Sequence, residues 1–388
     1  MALSGTWLWL AFCGFSLLTC QAGAPAKWER LGTCSLESQA GVTLCANRPS
    51  DPRHPMPKFL DVSKQLLVPA KVACVDASAY ENVLDLSCAA HTRAAAYHRI
   101  RDCLVPNFDV IEAALAANGS DDTLLLVPPY FTQFIDVLLP KHGIGSLALP
   151  RLDLPSHDRD TCVLVTSAAR VFFGLGTRNI TRAELIKRGT RFRALAYRRV
   201  GIHNSNWNLS HSPTVLLIDR ALLTRRNFVN SAQLRNSFSV GLRGSRVATY
   251  FGNESIAETI RLFANAQVVF GFHGAGLINV VFCKPTTVVV ELTFLLNEDE
   301  ANPRPFRTNG PGVLPIAAEQ LNWLVHALPV SVAHIPNNVE LSAMHEDNHD
   351  RDHALKQASN ISVPPVDMYN VLASVKALLI RLSIRAKN

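Results

Sequence analysis

The 388-residue sequence lacks most of the features that would mark a zinc, nucleic-acid-binding or multi-span membrane protein. Its nine cysteines form no C-x-x-C pair, which argues against a zinc site. Lys and Arg are scattered rather than grouped in blocks, which argues against nucleic acid as a partner. The net charge of +7 is equally expected of a protein that binds a nucleotide diphosphate or lies near anionic glycans.

The N-terminus has the pattern of a secretory signal. Residues Thr6–Thr19 form an apolar run that is shorter than the roughly 20 residues of a membrane span. Ala22-Gly23-Ala24 offers a small-residue cleavage site, so we expect cleavage after Ala24; an uncleaved Golgi anchor is the alternative, and only then is the protein membrane-bound. We therefore expect a location in the lumen of the Golgi or endoplasmic reticulum, or secretion.

Five N-glycosylation sequons agree with a secretory route and predict surface positions for their asparagines. They are Asn118, Asn179, Asn208, Asn253 and Asn360. Seven cysteines follow the signal segment, and some of them should form disulfides in the lumen. Cys34 with Cys45 and Cys74 with Cys88 are the sequence-local pairs, although connectivity does not follow from sequence. Cys283 lies in an apolar segment and is expected to be a buried free thiol.

Length and pattern predict an α/β protein with two domains of ordinary size. The predicted divisions are a signal at 1–24, a lead-in at 25–67, an N-terminal lobe at 68–211, a C-terminal lobe at 212–330, and a polar loop with a packing helix at 331–388. Strands are predicted at 123–127, 146–149, 160–167, 214–219 and 247–251. Helices are predicted at 109–117, 131–139, 231–236, 255–264 and 366–384.

The most informative stretch runs from Ala266 to Leu292. The apolar run Val268–Phe272 predicts a buried strand, and Val288–Leu292 predicts a second one. Between them lie the turn His273–Gly276 and an apolar segment of helical length, Leu277–Cys283. Such a unit places a glycine turn at the carboxyl end of a strand and at a helix N-terminus. Unpaired amides and the helix dipole there favour an anion such as a phosphate.

Two common glycine-rich motifs do not fit this turn. A dinucleotide fold requires the order G-x-G-x-x-G, whereas the order here is Gly271-x-x-Gly274-x-Gly276. An esterase oxyanion loop requires a downstream G-x-S-x-G nucleophile elbow, and none follows Gly276. A purely structural turn remains the alternative.

The stretch resembles the signature of glycosyltransferase family 61. The resemblance rests on the turn His273–Leu277, on Asn279 and Phe282, and on the strand end Val290-Glu291-Leu292. It implies a GT-B-like fold of two facing Rossmann-like lobes with a cleft. It also implies inverting transfer from a UDP-sugar, with N-acetylglucosamine or xylose as the sugar, to a hydroxyl of a glycan or glycoprotein.

The same resemblance assigns a donor site. Family members carry an Arg soon after a strand and then Arg-x-x-x-Asn, which implies that Arg220, Arg226 and Asn230 face the diphosphate or nucleotide. The second group of donor-binding residues is His273, Gly274, Ala275, Gly276, Asn279 and Glu291, with His273 also counted as catalytic. Glu291 ends a buried strand and needs a partner there; a ribose hydroxyl or a structural Arg would serve.

The general base is the weakest match. The family usually shows His-x-x-x-Asp after an Asn or an aromatic residue, and the segment Tyr130–Pro140 supplies Asp136 but has Thr132 at the His position. Threonine does not take a proton near pH 7. Either Asp136 or another acid is the base, or His142 compensates. The remaining alternative is a non-catalytic relative that binds glycan or nucleotide.

Two patterns raise the question of a metal. Asp158-Arg159-Asp160 spells the Asp-x-Asp that GT-A transferases use for manganese, although it lies in a polar loop where such triplets arise by chance. His345, His349 and His353 would share one face of a helix, but the polar composition of that stretch favours a loop. We assign no metal ligands and leave Mn²⁺ open as a cofactor.

Overall fold

The fold is taken from a computed structural model of the full chain. It describes residues 33–34, 38–39, 42–43, 58–62, 74–86, 98–117, 120–139, 151–153, 162–166, 168–173, 180–202, 213–219, 227–296, 304–305, 313, 316–317, 322–328, 333–334 and 360–385. The predicted signal segment and the predicted strand at 146–149 lie outside this part of the chain. Within the described residues, no helix combines the length and the apolar character needed to cross a bilayer.

The described helices confirm the predicted ones and add another. They are α1 Phe108–Ala117, α2 Thr132–Leu138, α3 Arg182–Arg199, α4 Ser231–Gly241, α5 Ile256–Asn265 and α6 Pro365–Arg385. A π-helical turn covers Arg99–Leu104, and 3₁₀ helices cover Pro129–Phe131 and Ala275–Phe282. The predicted helix after the glycine turn is therefore a 3₁₀ helix that begins two residues early. Helix α4 runs five residues beyond its predicted end.

The described strands are short in the first half of the chain and longer in the second. They are β1 Thr33–Cys34, β2 Ser38–Gln39, β3 Val42–Thr43, β4 Lys58–Asp61, β5 Cys74–Asp76, β6 Asn82–Asp85, β7 Thr123–Val127, β8 Arg151–Asp153, β9 Cys162–Val165, β10 Arg170–Phe173, β11 Thr214–Ile218, β12 Asn227–Phe228, β13 Arg246–Tyr250, β14 Val268–Phe272, β15 Val288–Leu296, β16 Arg304–Pro305, β17 Asn322–Leu328, β18 Ala333–His334 and β19 Asn360–Ile361.

Two of the sheets are mainly parallel, as expected of an α/β protein. One has the order β1-β10-β6-β7-β8, and all its pairs except β1–β10 are parallel. The other has β13, β11, β14, β15 and β17 side by side in parallel, with β16 antiparallel at the end of β15. The pairing of β14 with β15 confirms the strand–turn–helix–strand unit predicted from the sequence.

Side chains of β11 alternate between two apolar cores, which is why this strand reads as a continuous hydrophobic run. Val215 and Leu217 pack on the side of α4 and α6, and Leu216 and Ile218 pack on the side of α5 and the second 3₁₀ helix. Two further sheets, of five and three strands, have the orders β2-β3-β4-β9-β5 and β12-β19-β18. The sheet orders establish a mixed α/β fold with parallel sheets.

Local sequence signals set where α5 begins. Ser255 accepts a hydrogen bond from the N–H of Glu258, and the Glu258 carboxylate accepts one from the N–H of Ser255, so the predicted capping box is confirmed. The Ser255 bonds also lower the pKa of Glu258 below its ordinary value. A matching signal, Thr181 with Glu184, begins α3, where Thr181 accepts from the N–H of Glu184.

Helix α3 is the long element that the sequence analysis missed. It is rich in Arg, and two of these arginines are buried because partners on other segments satisfy them. Arg188 donates to the Pro106 carbonyl and lies 2.5 Å from Asp109 of α1, and Arg193 donates to the Ala317 carbonyl. Arg191 joins α1 through Glu112 at 2.8 Å. The hydrophobic pattern of α3 is therefore interrupted by charges that the fold pairs at long range.

Helix α3 packs closely on the chain at Ile316. A Cβ added to Gly189 would lie 1.9 Å from the Ile316 carbonyl oxygen, a distance that requires the backbone to move. Glycine in a helix interior costs about 1 kcal/mol relative to alanine, so the close packing is the reason for its presence here.

The first testable consequence concerns Gly189→Ala. Because backbone atoms block the added methyl group, we expect the free energy of unfolding to fall by about 1–3 kcal/mol, although alanine is the better helix former. Chemical denaturation measures the change. Thr190→Ala, at the exposed neighbouring position, is the control and should stay within about 0.5 kcal/mol of the parent. Equal stability of the two variants would contradict the close packing.

Candidate active site

The glycine turn joins β14 to the 3₁₀ helix at the carboxyl edge of the second parallel sheet. His273 directly follows β14, and its N–H donates to the Leu292 carbonyl at 2.7 Å. The N–H groups of Ala275 and Gly276 begin the 3₁₀ helix, and neither has a protein acceptor among the described residues. Two backbone donors are therefore available beside His273 at the edge where parallel sheets bind ligands.

The His273 ring is held by a buried carboxylate. Its Nδ1 lies 2.8 Å from Oε1 of Glu291, which is fully buried on β15. The second oxygen, Oε2, accepts from Trp323 Nε1 of β17 at 2.9 Å. Since Nδ1 faces the carboxylate, the neutral ring carries its proton on Nδ1 and its lone pair on Nε2. The contact with a ribose hydroxyl predicted for Glu291 stays a prediction; Trp323 is a partner that the sequence analysis missed.

Two glycines at this edge pack closely against Ile218. A Cβ on Gly271 would lie 2.9 Å from Cβ of Ile218, and a Cβ on Gly276 would lie 3.2 Å from Cγ2 of the same residue. Asn279, within the 3₁₀ helix, is buried and donates to Tyr250 Oη and to the Gly276 carbonyl at 3.0 and 3.2 Å. These contacts fix the turn against the ends of β11 and β13. They give Asn279 a structural role beside the predicted donor contact, which stays a prediction.

The predicted diphosphate residues fall into two groups. Arg220 and Arg226 lie outside the described residues. Asn230 is described, and its side-chain amide donates to the Val363 carbonyl at 2.9 Å and accepts from the Val363 N–H at 3.2 Å. This pair joins the start of α4 to the segment before α6, a structural role that the sequence analysis did not foresee. Contact of Asn230 with a diphosphate stays a prediction.

The predicted base, Asp136, lies on the surface of α2 and is 49% exposed. Its carboxylate lies 2.7 Å from Nη1 of Arg151, the first residue of β8, which pairs with β7. Thr132 begins the same helix and is partly exposed. The structure gives Asp136 an Arg partner, and its use as a base stays a prediction. His142 lies outside the described residues.

A second His-x-x-x-Asp pattern, missed in the sequence analysis, forms a hydrogen-bonded pair. It follows the aromatic residue Tyr97 and consists of His98, which directly precedes the π-helical turn, and Asp102, which lies within that turn. His98 Nδ1 lies 2.6 Å from Asp102 Oδ2, and the His98 side chain is 42% exposed. The signal was available: the family pattern calls for His, three residues, and Asp after an aromatic residue, and Tyr97–Asp102 satisfies it where Tyr130–Pro140 does not.

The π-helical turn lies at the carboxyl edge of the first parallel sheet. It follows β6 and precedes α1 and β7, which pairs with β6 in parallel. Cys103 Sγ lies 3.8 Å from the carbonyl oxygen of Leu86, the residue that follows β6. Single π-helical turns occur often at functional sites. The His98–Asp102 pair thus has the same position in its sheet that His273 has in the other.

Aromatic contacts connect the two edges through α3. The Phe192 ring of α3 lies 5.9 Å from Phe108 of α1 and 5.6 Å from Phe282 at the end of the 3₁₀ helix. One turn further on, Tyr197 Oη donates to the Phe282 carbonyl at 2.6 Å. A single apolar core includes side chains from the π-helical turn, α1, α3 and the 3₁₀ helix. The missed helix therefore packs against both candidate elements.

Some of the predictions for cysteines and sequons are confirmed, and the others concern residues outside the described part of the chain. Cys283 is a buried free thiol, as predicted. Cys74 and Cys103 are disulfide-bonded, while the predicted pairs Cys34–Cys45 and Cys74–Cys88 involve residues outside the described side chains. Among the sequon asparagines, Asn253 and Asn360 are exposed as predicted, and Asn118, Asn179 and Asn208 lie outside the described residues.

The metal patterns at 158–160 and 345–353 also lie outside the described residues. In the described part of the chain, no three His, Cys, Asp or Glu side chains group together in a way that could hold a metal ion.

Comparison with protein families assigns part of the chain to a known family. The sequence model of the family described as Glycosyltransferase 61 matches residues 97–290, which is half of the chain. The matched region begins one residue before His98 and ends one residue before Glu291. No curated protein matches the chain.

A second prediction concerns Cys283. Burial raises the pKa of its thiol well above the ordinary 9.0, so the thiol stays protonated and unreactive in the folded protein. We expect no alkylation of Cys283 by iodoacetamide at pH 8, and full alkylation after unfolding, as measured by peptide mass spectrometry. The pKa of the Cys283 thiol is higher in the folded protein than in the unfolded chain. Its contribution to the free energy of unfolding is therefore fully present below about pH 9 and is lost as the pH rises above that value. Rapid alkylation of the native protein would contradict the burial.

Proposed function

The chain belongs to the glycosyltransferase 61 family, and from that premise we propose that it moves a sugar from a UDP-sugar to a hydroxyl of a glycan or glycoprotein. Membership supports glycosyl transfer with a sugar donor and a glycan acceptor in general. The finer proposal is direct, inverting attack, with N-acetylglucosamine or xylose as the sugar. The observation that carries it is the pair of histidine–carboxylate contacts at the carboxyl edges of two parallel sheets.

We assign leaving-group stabilisation to the glycine turn. A departing diphosphate needs donors aimed at its developing charge. The N–H groups of Ala275 and Gly276 supply two of them, and the imidazolium form of His273, held through Nδ1 by Glu291, would supply Nε2–H as a third. Arg220 and Arg226 are proposed to complete the site with bidentate contacts.

We assign the base to His98. Asp102 bonds to Nδ1 of His98, so the neutral ring has its lone pair on Nε2, the atom that would take the acceptor hydroxyl proton. A carboxylate beside Nδ1 also stabilises the imidazolium that forms. Asp136 is the second candidate, although its carboxylate is engaged by Arg151.

Glu291 then acts as a positioning residue. Its carboxylate is fully buried and accepts from Trp323 while it contacts His273, which restricts rotation of the imidazole ring. A ribose contact remains the alternative role for Glu291. Thr132 is the reason to consider a non-catalytic relative, and the His98–Asp102 pair supports the catalytic proposal instead.

We further propose a GT-B arrangement, with residues 68–211 on the acceptor side and residues 212–330 on the donor side. The protein would work in the lumen of the secretory pathway. Mn²⁺ remains open as a cofactor, because diphosphate charge can be balanced by a metal or by Arg and helix N-termini. Nucleic acid is not proposed as a partner.

A thermal-shift measurement tests donor binding. A nucleotide at 100 times its dissociation constant adds about 2.7 kcal/mol of stability, so UDP should raise the Tm where GDP and CMP do not. The series is run with and without Mn²⁺. Arg226→Ala should lose the shift, and Arg235→Ala, at an exposed position of α4, should keep it. Absence of a shift with every nucleotide would remove the donor site and favour the glycan-binding alternative.

A second measurement separates the two candidate bases. Slow release of UDP from a UDP-sugar without acceptor reports on the chemical step. His98→Ala should lower this rate by about 10²–10⁴-fold while the UDP thermal shift is kept, because general-base catalysis contributes that much. Asp136→Asn is measured beside it. A large loss with Asp136→Asn and none with His98→Ala would return the base to Asp136.

A further inference from the structure

A trough lies between α4 and α6 on the face of the second sheet away from the glycine turn. The helices meet at one end, where a Cβ on Gly241 would lie 2.7 Å from Leu372, and the Asn230–Val363 bonds close the other end. Between these closures is a cavity of about 310 Å³, at the lower end of the range for ligand sites, ~300–1,000 Å³.

The trough has an apolar floor and a polar wall. Buried Leu234 and Met368 form the floor, and the wall on α4 carries Gln233, Asn236 and Ser237. An apolar surface beside amide and hydroxyl groups suits a sugar ring, which has C–H groups on its faces and hydroxyls at its edge.

Exposed apolar side chains concentrate around this trough. Among the described residues, seven large hydrophobic side chains are exposed, and two of them, Val240 and Tyr369, line the trough. Two more, Val229 and Val366, directly adjoin its lining residues Asn230 and Pro365 in sequence. Tyr369 is 73% exposed, more than the other six. Concentration of such side chains at one place indicates a surface that is covered in the working protein.

The sequence supplies an occupant beside the trough. Asn360 begins the sequon Asn360-Ile361-Ser362 and is exposed on β19. Ile361 is buried in the core beneath α4 and α6, so by strand alternation the exposed Asn360 points away from that core. Three extended residues span at most ~10 Å, so Asn360 lies close to the lining residue Val363.

We propose that an N-linked glycan on Asn360 lies in the trough and covers Tyr369. The linkage forms between the anomeric carbon of a lipid-diphosphate-linked oligosaccharide and Nδ2 of Asn360; the amide loses one proton and the lipid diphosphate departs. Tethering gives the first sugar rings a high effective concentration at the trough, so weak contacts suffice. The inference depends on the secretory route and is independent of glycosyl transfer.

The test uses the full chain produced in glycosylating cells. Peptide mapping after enzymatic deglycosylation in ¹⁸O water reports occupancy of Asn360. Asn360→Gln should lower the Tm by roughly 2–4 °C and increase binding of an apolar fluorescent dye. Asn253→Gln removes another exposed sequon, whose asparagine does not line the trough, and should do neither. Glycan removal from the folded parent protein repeats the measurement without dependence on folding of the variant.

Tyr369→Ala makes the test specific to the trough. If the glycan rests on this ring, the Tm difference caused by Asn360→Gln should shrink severalfold in the Tyr369→Ala background. Ile380→Ala, at another exposed position of α6, should leave the difference unchanged. An unoccupied Asn360, equal effects of Asn360→Gln and Asn253→Gln, or a difference that persists in Tyr369→Ala would overturn the proposal. Dimerisation through Tyr369 in the glycosylated protein would overturn it in favour of a second copy.

Discussion

Phe192 of α3 packs between two aromatic rings. One is Phe108 of α1, beside the first parallel sheet, and the other is Phe282, at the end of the 3₁₀ helix that follows the glycine turn of the second sheet. The rest of the structure depends on this contact, because it lies where the cores of the two halves become one. Gly189 allows the same helix to pack closely on Ile316. Helix α3 therefore packs against elements at both sheet edges, the one near His98 and the one near His273. Close-packed interiors transmit small displacements between elements that are in contact.

Both candidate histidines are oriented through Nδ1 by a carboxylate, but the chain achieves this in different ways. His98 and Asp102 are four residues apart and pair within one helical turn. His273 directly follows β14, Glu291 lies on the neighbouring strand β15, and Trp323 lies on a third strand, β17. The first pair depends on local backbone conformation, and the second depends on correct register across three strands. A one-residue slip would move Glu291 to the opposite face of the sheet.

Much of the second sheet could be predicted from sequence because its strands are continuous apolar runs and α5 begins with a capping box. The glycine turn could be placed for the same reason. Helix α3 was missed because Arg188 and Arg193 interrupt its apolar pattern, and their partners at Pro106 and Ala317 are distant in sequence. The His98–Asp102 pair was available as a motif, but the sequence analysis matched the motif only to Tyr130–Pro140. Trp323 gave no local signal, because only strand pairing brings it to Glu291.

The matched family region and the folded body do not end at the same residue. The match ends at residue 290, within β15, yet Trp323 bonds to the next residue, Glu291, and β17 pairs along seven residues of β15. Ile361, Val363 and the buried side of α6 complete the apolar core over the other face of that sheet. The end of the match is thus not a structural boundary, because the sheet and its apolar core continue past residue 290. Residues beyond it contribute contacts that hold Glu291 and, through it, His273.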